Sequence, residues 1–258
     1  CFCLISSAIY LLNDVIDIKE DKIHPIKKFR PIAAGTLKIN DAIIFSFFLL
    51  IISLLIALFV SKKLLFIILL YFLIQFSYCF KLKNVVLLDV FCISSGFLLR
   101  AIAGGISSNI YLSQWFLLTL SLMAFFLAIE KRKAELIQFQ TNKLITRKVL
   151  KKYSLPLLLR MESLSANGAF ISYSLWASSP FSLGAESRWM IINIPFVLYG
   201  IFRYQLLSDP SNIDLEVNRK LKYTAQNPEE ILLRDKGIQI TILLWLFTTI
   251  LVIFKSKF

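Results

Sequence analysis

Runs of apolar residues, each broken by a shorter polar and charged stretch, repeat along the whole chain. Segments near 1–16, 41–60, 64–80, 86–103, 112–129, 154–177, 189–206 and 237–254 are long enough, or nearly so, to cross a hydrocarbon layer of about 30 Å as helices. Eight spans are therefore expected. The longest polar piece, 207–236, holds about thirty residues, and no Gly/Ser-rich linker or low-complexity segment separates the runs, so 1–258 reads as one domain. Within that piece, Asp209-Pro210-Ser211-Asn212 has the composition of a turn. Asn227-Pro228-Glu229-Glu230 has that of a helix start, with Pro at the first helical position and acids in the first turn. The chain begins at Cys1 inside an apolar run, without an initiator Met, and reads as a fragment.

Composition fixes the class. With 57% hydrophobic residues and 23 Phe among 258 residues, and a mean hydropathy of +0.72, there is too much apolar surface for a soluble domain of this size. The expected architecture is all-α, a polytopic bundle of transmembrane helices. A net charge of +13 would suit nucleic acid, but the basic residues gather in the short connections between apolar runs. Nucleic-acid binding is set aside on that ground. Lys19, Lys22, Lys27, Lys28, Arg30 and Lys38 lie in 18–40, Lys81 and Lys83 in 81–85, eight basic residues in 130–153 and five in 207–236. The alternate connections carry only Lys62 and Lys63, none in 104–111, and Arg188. The positive-inside rule then places 18–40 on the cytoplasmic side. Cys1, Cys3, Cys79 and Cys92 show neither disulfide nor metal-ligand spacing and read as small buried hydrophobes. His24, beside Pro25 in a charged loop, reads as a loop residue.

Candidate chemistry concentrates in Asn13 to Gly35, NDVIDIKEDKIHPIKKFRPIAAG. If the preceding helix continues, Asp14, Asp17 and Asp21 fall at i, i+3 and i+7 and share a face. Their mutual repulsion is relieved by a hard divalent cation, and carboxylates holding Mg²⁺ against phosphates are a usual arrangement. Lys27, Lys28 and Arg30 follow, suited to the same anion. A charged loop is ordinarily no more than solvated, but Asn-Asp-x-x-Asp-x-x-x-Asp followed nine residues later by Arg-Pro-Ile-Ala-Ala-Gly is more specific than charge. It resembles the first aspartate-rich motif of the UbiA superfamily of intramembrane prenyltransferases. That resemblance implies a nine-helix fold in which this motif follows the second helix, so that the chain lacks helix one.

Two further constellations refine the resemblance. Tyr78 and Lys83 precede Asp89, Gly96, Arg100 and Gly104-Gly105. On a helix, Asp89 and Arg100 look the same way, and ionisable groups inside a membrane usually face a cavity or a partner; snorkelling is the alternative for Arg100. Glu130-Lys131-Arg132-Lys133-Ala134-Glu135 caps another span, with Lys131 expected beside Glu135 and Arg132 pointing elsewhere. The aromatic prenyltransferases of the superfamily carry a second aspartate-rich motif in a later cytoplasmic loop. Here the corresponding residues, 130–153, contain no aspartate and are strongly basic. Together with Ser113-Gln114-Trp115-Phe116, Tyr173-Ser174-Leu175-Trp176, Arg203-Tyr204 and Asp235, these runs are similar to the decaprenyl-phosphate phosphoribosyltransferases. Two positions depart from that pattern: Cys79, where a small hydroxyl residue is expected, and Glu130, which could pair with Lys131 or Lys133.

The resemblance implies transfer of 5-phosphoribose from phosphoribosyl pyrophosphate to a polyprenyl phosphate, with release of pyrophosphate. Asp14, Asp17 and Asp21 would be the catalytic carboxylates that hold Mg²⁺, with Asn13 as a neutral oxygen ligand or hydrogen-bond partner. Lys27, Lys28, Arg30, Lys83, Lys131 and Arg132 are candidates for the phosphates, and Tyr78, Asp89, Arg100 and Glu135 for other contacts to substrate. Two other functions fit less of the sequence. A UbiA-type prenyltransferase acting on 4-hydroxybenzoate or a quinone precursor needs a second aspartate pair, and a transporter or pore leaves the Asn13–Asp21 spacing unexplained. Nothing in the sequence selects a polyprenol length or an oligomeric state.

Overall fold

The structure, a computed structural model, describes residues 1–24, 27–142, 148–179, 184–185, 187–209 and 228–256. Each of the eight expected spans is a helix. Helix α1 is Phe2–Ile16, and the short α2, Ile18–Ile23, follows it; α3 is Ile39–Val60, α4 Lys62–Phe80, α5 Leu88–Ser108 and α6 Gln114–Asn142. The remainder are α7 (Leu155–Ser178), α8 (Ile194–Ser208), the short α9 (Pro228–Arg234) and α10 (Lys236–Ser256), and no strand occurs among the described residues. Among the described residues, six segments are long and apolar enough to cross a membrane: α3, α4, α5, Gln114–Ile137, Arg188–Ser208 and Lys236–Lys255. Helix α1 is apolar but shorter. Helix α7 is long enough but carries Arg160, Glu162, Asn167 and several serines, which lower its hydropathy. Pro228 opens α9 as its composition predicts; the turn expected at 209–212 falls mostly outside the described residues.

The chain divides into two compact units, Cys1–Tyr111 with Ile145–Val149, and Leu112–Leu144 with Leu150–Phe258. In the first, α3 packs against α1 and α4 and buries Ala42, Ser46, Leu49, Ser53 and Ala57, while its phenylalanines at 45, 47, 48 and 59 are exposed. Small side chains let helix backbones approach where lipid removes any hydrophobic advantage of burial. Ser46 and Ser53 then donate to the carbonyls of Ala8 (2.8 Å) and Cys1 (3.0 Å). Between α4 and α5 the close approach is at Gly96, where a Cβ would sit 2.7 Å from the Gln75 amide nitrogen. That amide donates to the Cys92 carbonyl at 3.2 Å. Of the other two glycines of α5 singled out by sequence, Gly105 is buried, whereas Gly104 faces open space. Asn109 ends the helix in the left-handed conformation that Asn tolerates.

In the second unit α6 and α7 pack most extensively, with Leu122 against Gly168. Phe126, Ala166, Ile201, Tyr204 and Ile238 form a shared core of α6, α7, α8 and α10. An apolar cavity of about 220 Å³ lies among Met123, Leu127, Val197, Gly200, Ile242 and Trp245 of α6, α8 and α10.

Candidate active site

The polar stretch after α1 does not continue as one helix. Asp17 sits at a break, φ −89° and ψ 7°, closing α1 and opening α2. The three carboxylates are consequently divided. Arg30 Nη1 donates to Asp14 Oδ1 at 2.7 Å and to Asp21 Oδ2 at 2.9 Å, whereas Asp17 pairs with Lys83, from the turn after α4. Asp21 is buried, and the other members of the cluster keep partial access to solvent.

The residues after Asp21 explain how Arg30 reaches back. Lys27 N–H bonds His24 Nδ1 at 3.2 Å, which gives the lone histidine a loop role. A single 3₁₀ turn, Lys27–Phe29, follows. Pro31 fixes its own φ, Ile32 and Ala33 are buried as anchors, and Gly35 takes φ +81°, open to glycine at no steric penalty. The Arg-Pro-Ile-Ala-Ala-Gly run is thus a docked turn that holds a guanidinium over two carboxylates. Lys28 is exposed and lies over the Phe29 ring at 5.1 Å. Asn13 accepts the Asp17 N–H through its backbone carbonyl at 2.9 Å.

Among the described residues no group of three or more His, Cys, Asp or Glu side chains is gathered around one point. The donor chemistry nevertheless fits Mg²⁺. Asp14 and Asp21 converge on a single cationic nitrogen, and Mg²⁺ is commonly held by one or two carboxylates together with water and substrate phosphates.

The remaining first-unit candidates are spread along α4 and α5. Tyr78 is half-buried, and Asp89 is fully buried in the first turn of α5, where a carboxylate suits the helix dipole. Arg100 is exposed and donates to Ser6 Oγ and Tyr71 Oη, both at 3.0 Å. Sequence reasoning overlooked Ser6 and Tyr71; a hydroxyl inside each of two apolar helices was the available signal.

In the second unit the pairing at the end of α6 differs from the expected one. Arg132, expected to point elsewhere, pairs with Glu135 at 2.7 Å, one helical turn away. The i,i+3 pair is as close on a helix as i,i+4, and Arg132 is turned fully inward. Lys131 is half-buried. Glu130 takes Lys133 at 2.7 Å, and Lys133 also binds Glu162 of α7 at 2.5 Å and Ser208 of α8 at 3.3 Å. Gln205 donates to the other Glu162 oxygen at 3.2 Å. Glu162, a carboxylate within an apolar run, was the missed residue that signals this network. Arg203 also pairs with Asp235 at 2.9 Å, and Asp235 Oδ1 accepts the Ile238 N–H at 2.8 Å at the start of α10. Burial opposes the Asp235 charge, but the Arg203 and backbone hydrogen bonds prevail and hold its carboxyl below the usual range.

Helices long and apolar enough to cross a membrane, with carboxylates and cations gathered at the end of one of them, define a class: polytopic membrane proteins with a polar cluster at a helix end. The chain belongs to the UbiA prenyltransferase family, whose model matches residues 1–222, and it is an integral membrane protein. It is 38% identical over 255 residues to the decaprenyl-phosphate phosphoribosyltransferase of Mycolicibacterium smegmatis, spanning 96% of this chain and 76% of that protein. The protein of the same name from Corynebacterium glutamicum is 34% identical, spanning 98% and 74%. Among solved structures, a UbiA homolog from Archaeoglobus fulgidus bound to GPP and Mg²⁺ superposes with a TM-score of 0.68 at 15% identity, covering 96% of this chain and 84% of its own. A digeranylgeranylglyceryl phosphate synthase does so with a TM-score of 0.60 at 20% identity, covering 92% and 80%.

Proposed function

We infer that the protein is a membrane transferase that moves 5-phosphoribose from phosphoribosyl pyrophosphate to a polyprenyl phosphate and releases pyrophosphate. The carrying observation is the 34–38% identity, over nearly the whole chain, to relatives named for that reaction. The chemistry of 130–153 agrees: a prenyl diphosphate held through two acidic clusters calls for carboxylates there, and the chain has basic residues without an aspartate. We propose the whole chain as one transferase domain of a prokaryotic-type inner membrane, its Asp14–Lys83 cluster on the cytoplasmic side, as the Lys and Arg distribution directs.

In the reaction the bond from the anomeric carbon to the pyrophosphate oxygen breaks, and a phosphate oxygen of the acceptor forms the new bond. That phosphate is already an anion, so no strong general base is needed, in keeping with a chain whose one histidine is tied into a loop. Asp14, Asp17 and Asp21 are the proposed Mg²⁺ ligands, and Asn13 their neutral partner; bound Mg²⁺ supplies charge stabilisation to the leaving pyrophosphate. Arg30 and Lys83, which neutralise these carboxylates, together with Lys27 and Lys28 are the proposed phosphate contacts of the first unit. Tyr78 and Asp89, on either side of Lys83 in the chain, are proposed as further substrate contacts of the first unit. Lys131 and Arg132, steadied by Glu135, are the proposed phosphate contacts of the second unit. The cavity of α6, α8 and α10 has the apolar lining that part of a polyprenyl tail requires.

The deciding experiment incubates membranes holding the protein with phosphoribosyl pyrophosphate labelled in its 5-phosphate and with decaprenyl phosphate. Label should enter the lipid phase, cease to do so with EDTA and resume with added Mg²⁺. A lipid phase without label, alongside transfer of a prenyl group from its diphosphate to 4-hydroxybenzoate, overturns the assignment.

A further inference from the structure

The carboxylate cluster does not account for Arg100. This residue stands near the middle of the span Leu88–Ser108, twelve residues from its start. Its Nη2 donates to Ser6 Oγ and Tyr71 Oη, each at 3.0 Å, and those two oxygens lie 3.1 Å apart, closing a triangle among α1, α4 and α5. Ser6 is ten residues from the Ile16 end of α1, and Tyr71 nine from the Phe80 end of α4. At about 1.5 Å per residue the three groups meet at one depth, about 13–18 Å from the end where Asp14 and Lys83 lie. A snorkelling arginine runs toward an interface; this one is held at mid-depth by two hydroxyls.

No carboxylate among the described residues balances its charge. Arg100 forms no ion pair with a carboxylate among the described residues, and its other contacts are the Tyr71 and Phe97 rings, 5.6 and 5.8 Å from the guanidinium carbon. Of the elements packed around it, α4 has no acid, while Asp14 and Asp89 stand eight and eleven residues away along α1 and α5. Both hydrogen bonds use one of its three nitrogens, which leaves donors on an exposed guanidinium, and Ser6 and Tyr71 supply two hydroxyls beside it. A cation inside a membrane span, fixed by neutral groups and open on one side, is suited to an anion arriving from outside the protein.

Resting on the proposed reaction, we propose that Arg100, Tyr71 and Ser6 form a subsite for a phosphate monoester, separate from the Asp14–Lys83 cluster and deeper in the membrane. A planar guanidinium matches such a group in two-point contact. Both substrates carry one: the 5-phosphate of the donor and the phosphate of the lipid acceptor.

The test measures binding of ribose 5-phosphate and of farnesyl phosphate to the protein purified in detergent, with ribose and farnesol as controls. Arg100→Met should weaken binding of one of the two phosphates by about ten- to a hundredfold, leave its dephosphorylated control unchanged, and spare the other phosphate. Loss of ribose 5-phosphate assigns the subsite to the donor; loss of farnesyl phosphate assigns it to the acceptor. Arg100→Lys should be intermediate, and Tyr71→Phe, which keeps the ring beneath the guanidinium and so the packing, should weaken the same phosphate several-fold. Unchanged affinity for both phosphates in Tyr71→Phe and in monodisperse Arg100→Met or Arg100→Lys overturns the subsite. Wild-type protein that binds these phosphates through Arg100 but transfers no phosphoribose keeps the subsite and removes the proposed reaction. Transfer that proceeds normally in Arg100→Met, with both affinities intact, does the reverse.

Discussion

The chain contains two ionic clusters of similar make-up and opposite setting. In the first unit Asp14, Asp17 and Asp21 meet Arg30 and Lys83, with side chains that remain 13–36% exposed except for Asp21. In the second unit Glu130 and Glu162 meet Lys133, with all three at 6% or less. Partly solvated pairs are weak and exchange readily. Fully enclosed charges are held because removing one strands the others. The first cluster can therefore give up its internal partners for a ligand, whereas the second fastens α6 to α7 and α8. Net charge alone would have ranked them alike, since each has one more carboxylate than cation.

The sharpest break between the clusters should come from Asp17→Asn. This change is expected to abolish turnover while the detergent-solubilised protein stays monodisperse, as gel filtration beside the lipid-phase assay will show; retained activity takes Asp17 out of the site. Lys133→Met should act on the fold instead, lowering stability by about 3–5 kcal/mol by leaving two enclosed carboxylates without a cation. Unfolding in detergent reads this loss, and most of the stability should return when Glu130→Gln and Glu162→Gln are added. If Lys133→Met unfolds like wild type, the network is not a fastening.

Arg132 has the burial of the second cluster and the proposed chemistry of the first. Arg132→Ala should weaken apparent donor affinity by about ten- to a hundredfold and change acceptor affinity much less. A loss confined to melting temperature, with donor affinity intact, would make Arg132 structural. The smallest effect belongs to Arg203–Asp235, whose side chains are 30% and 5% exposed. A carboxyl held below its unfolded value, about 3.9 for Asp, contributes stability that is fully present above that value and lost as pH falls through the folded one. Melting temperature should thus hold steady from neutral pH to about 4 and decline below. Arg203→Met should flatten part of that decline, and an identical acid limb in the variant removes the pair from it.

Much of the fold was legible because apolar length alone decides whether a segment can span, and each of the eight runs became a helix. The acidic motif and the Arg-Pro-Ile-Ala-Ala-Gly run were legible because their chemistry is local. What the sequence concealed was partnership. The spacing of Asp14, Asp17 and Asp21 suits one continuous helix, and only the break at Asp17 turns that residue toward Lys83, 66 positions away. The Lys133–Glu162 contact spans 29 positions and two helices, and Arg100 meets Ser6 across 94. Helical periodicity carries no information about such distances.

Helix α3 shows what this means for how the sequence can drift. Its outer face is an almost unbroken surface of Phe, Ile and Leu, and its inner face is Ala42, Ser46, Leu49, Ser53 and Ala57. In lipid a bulky apolar side chain gains nothing by facing inward, so the rotation of α3 about its axis is set by its least conspicuous residues. The outer face is free to exchange one large hydrophobe for another with the bilayer, while the two serine hydroxyls and two alanines form a narrow key on the inner face, its hydroxyls bonded to α1. Hydropathy, which finds this helix at once, is blind to the positions that orient it.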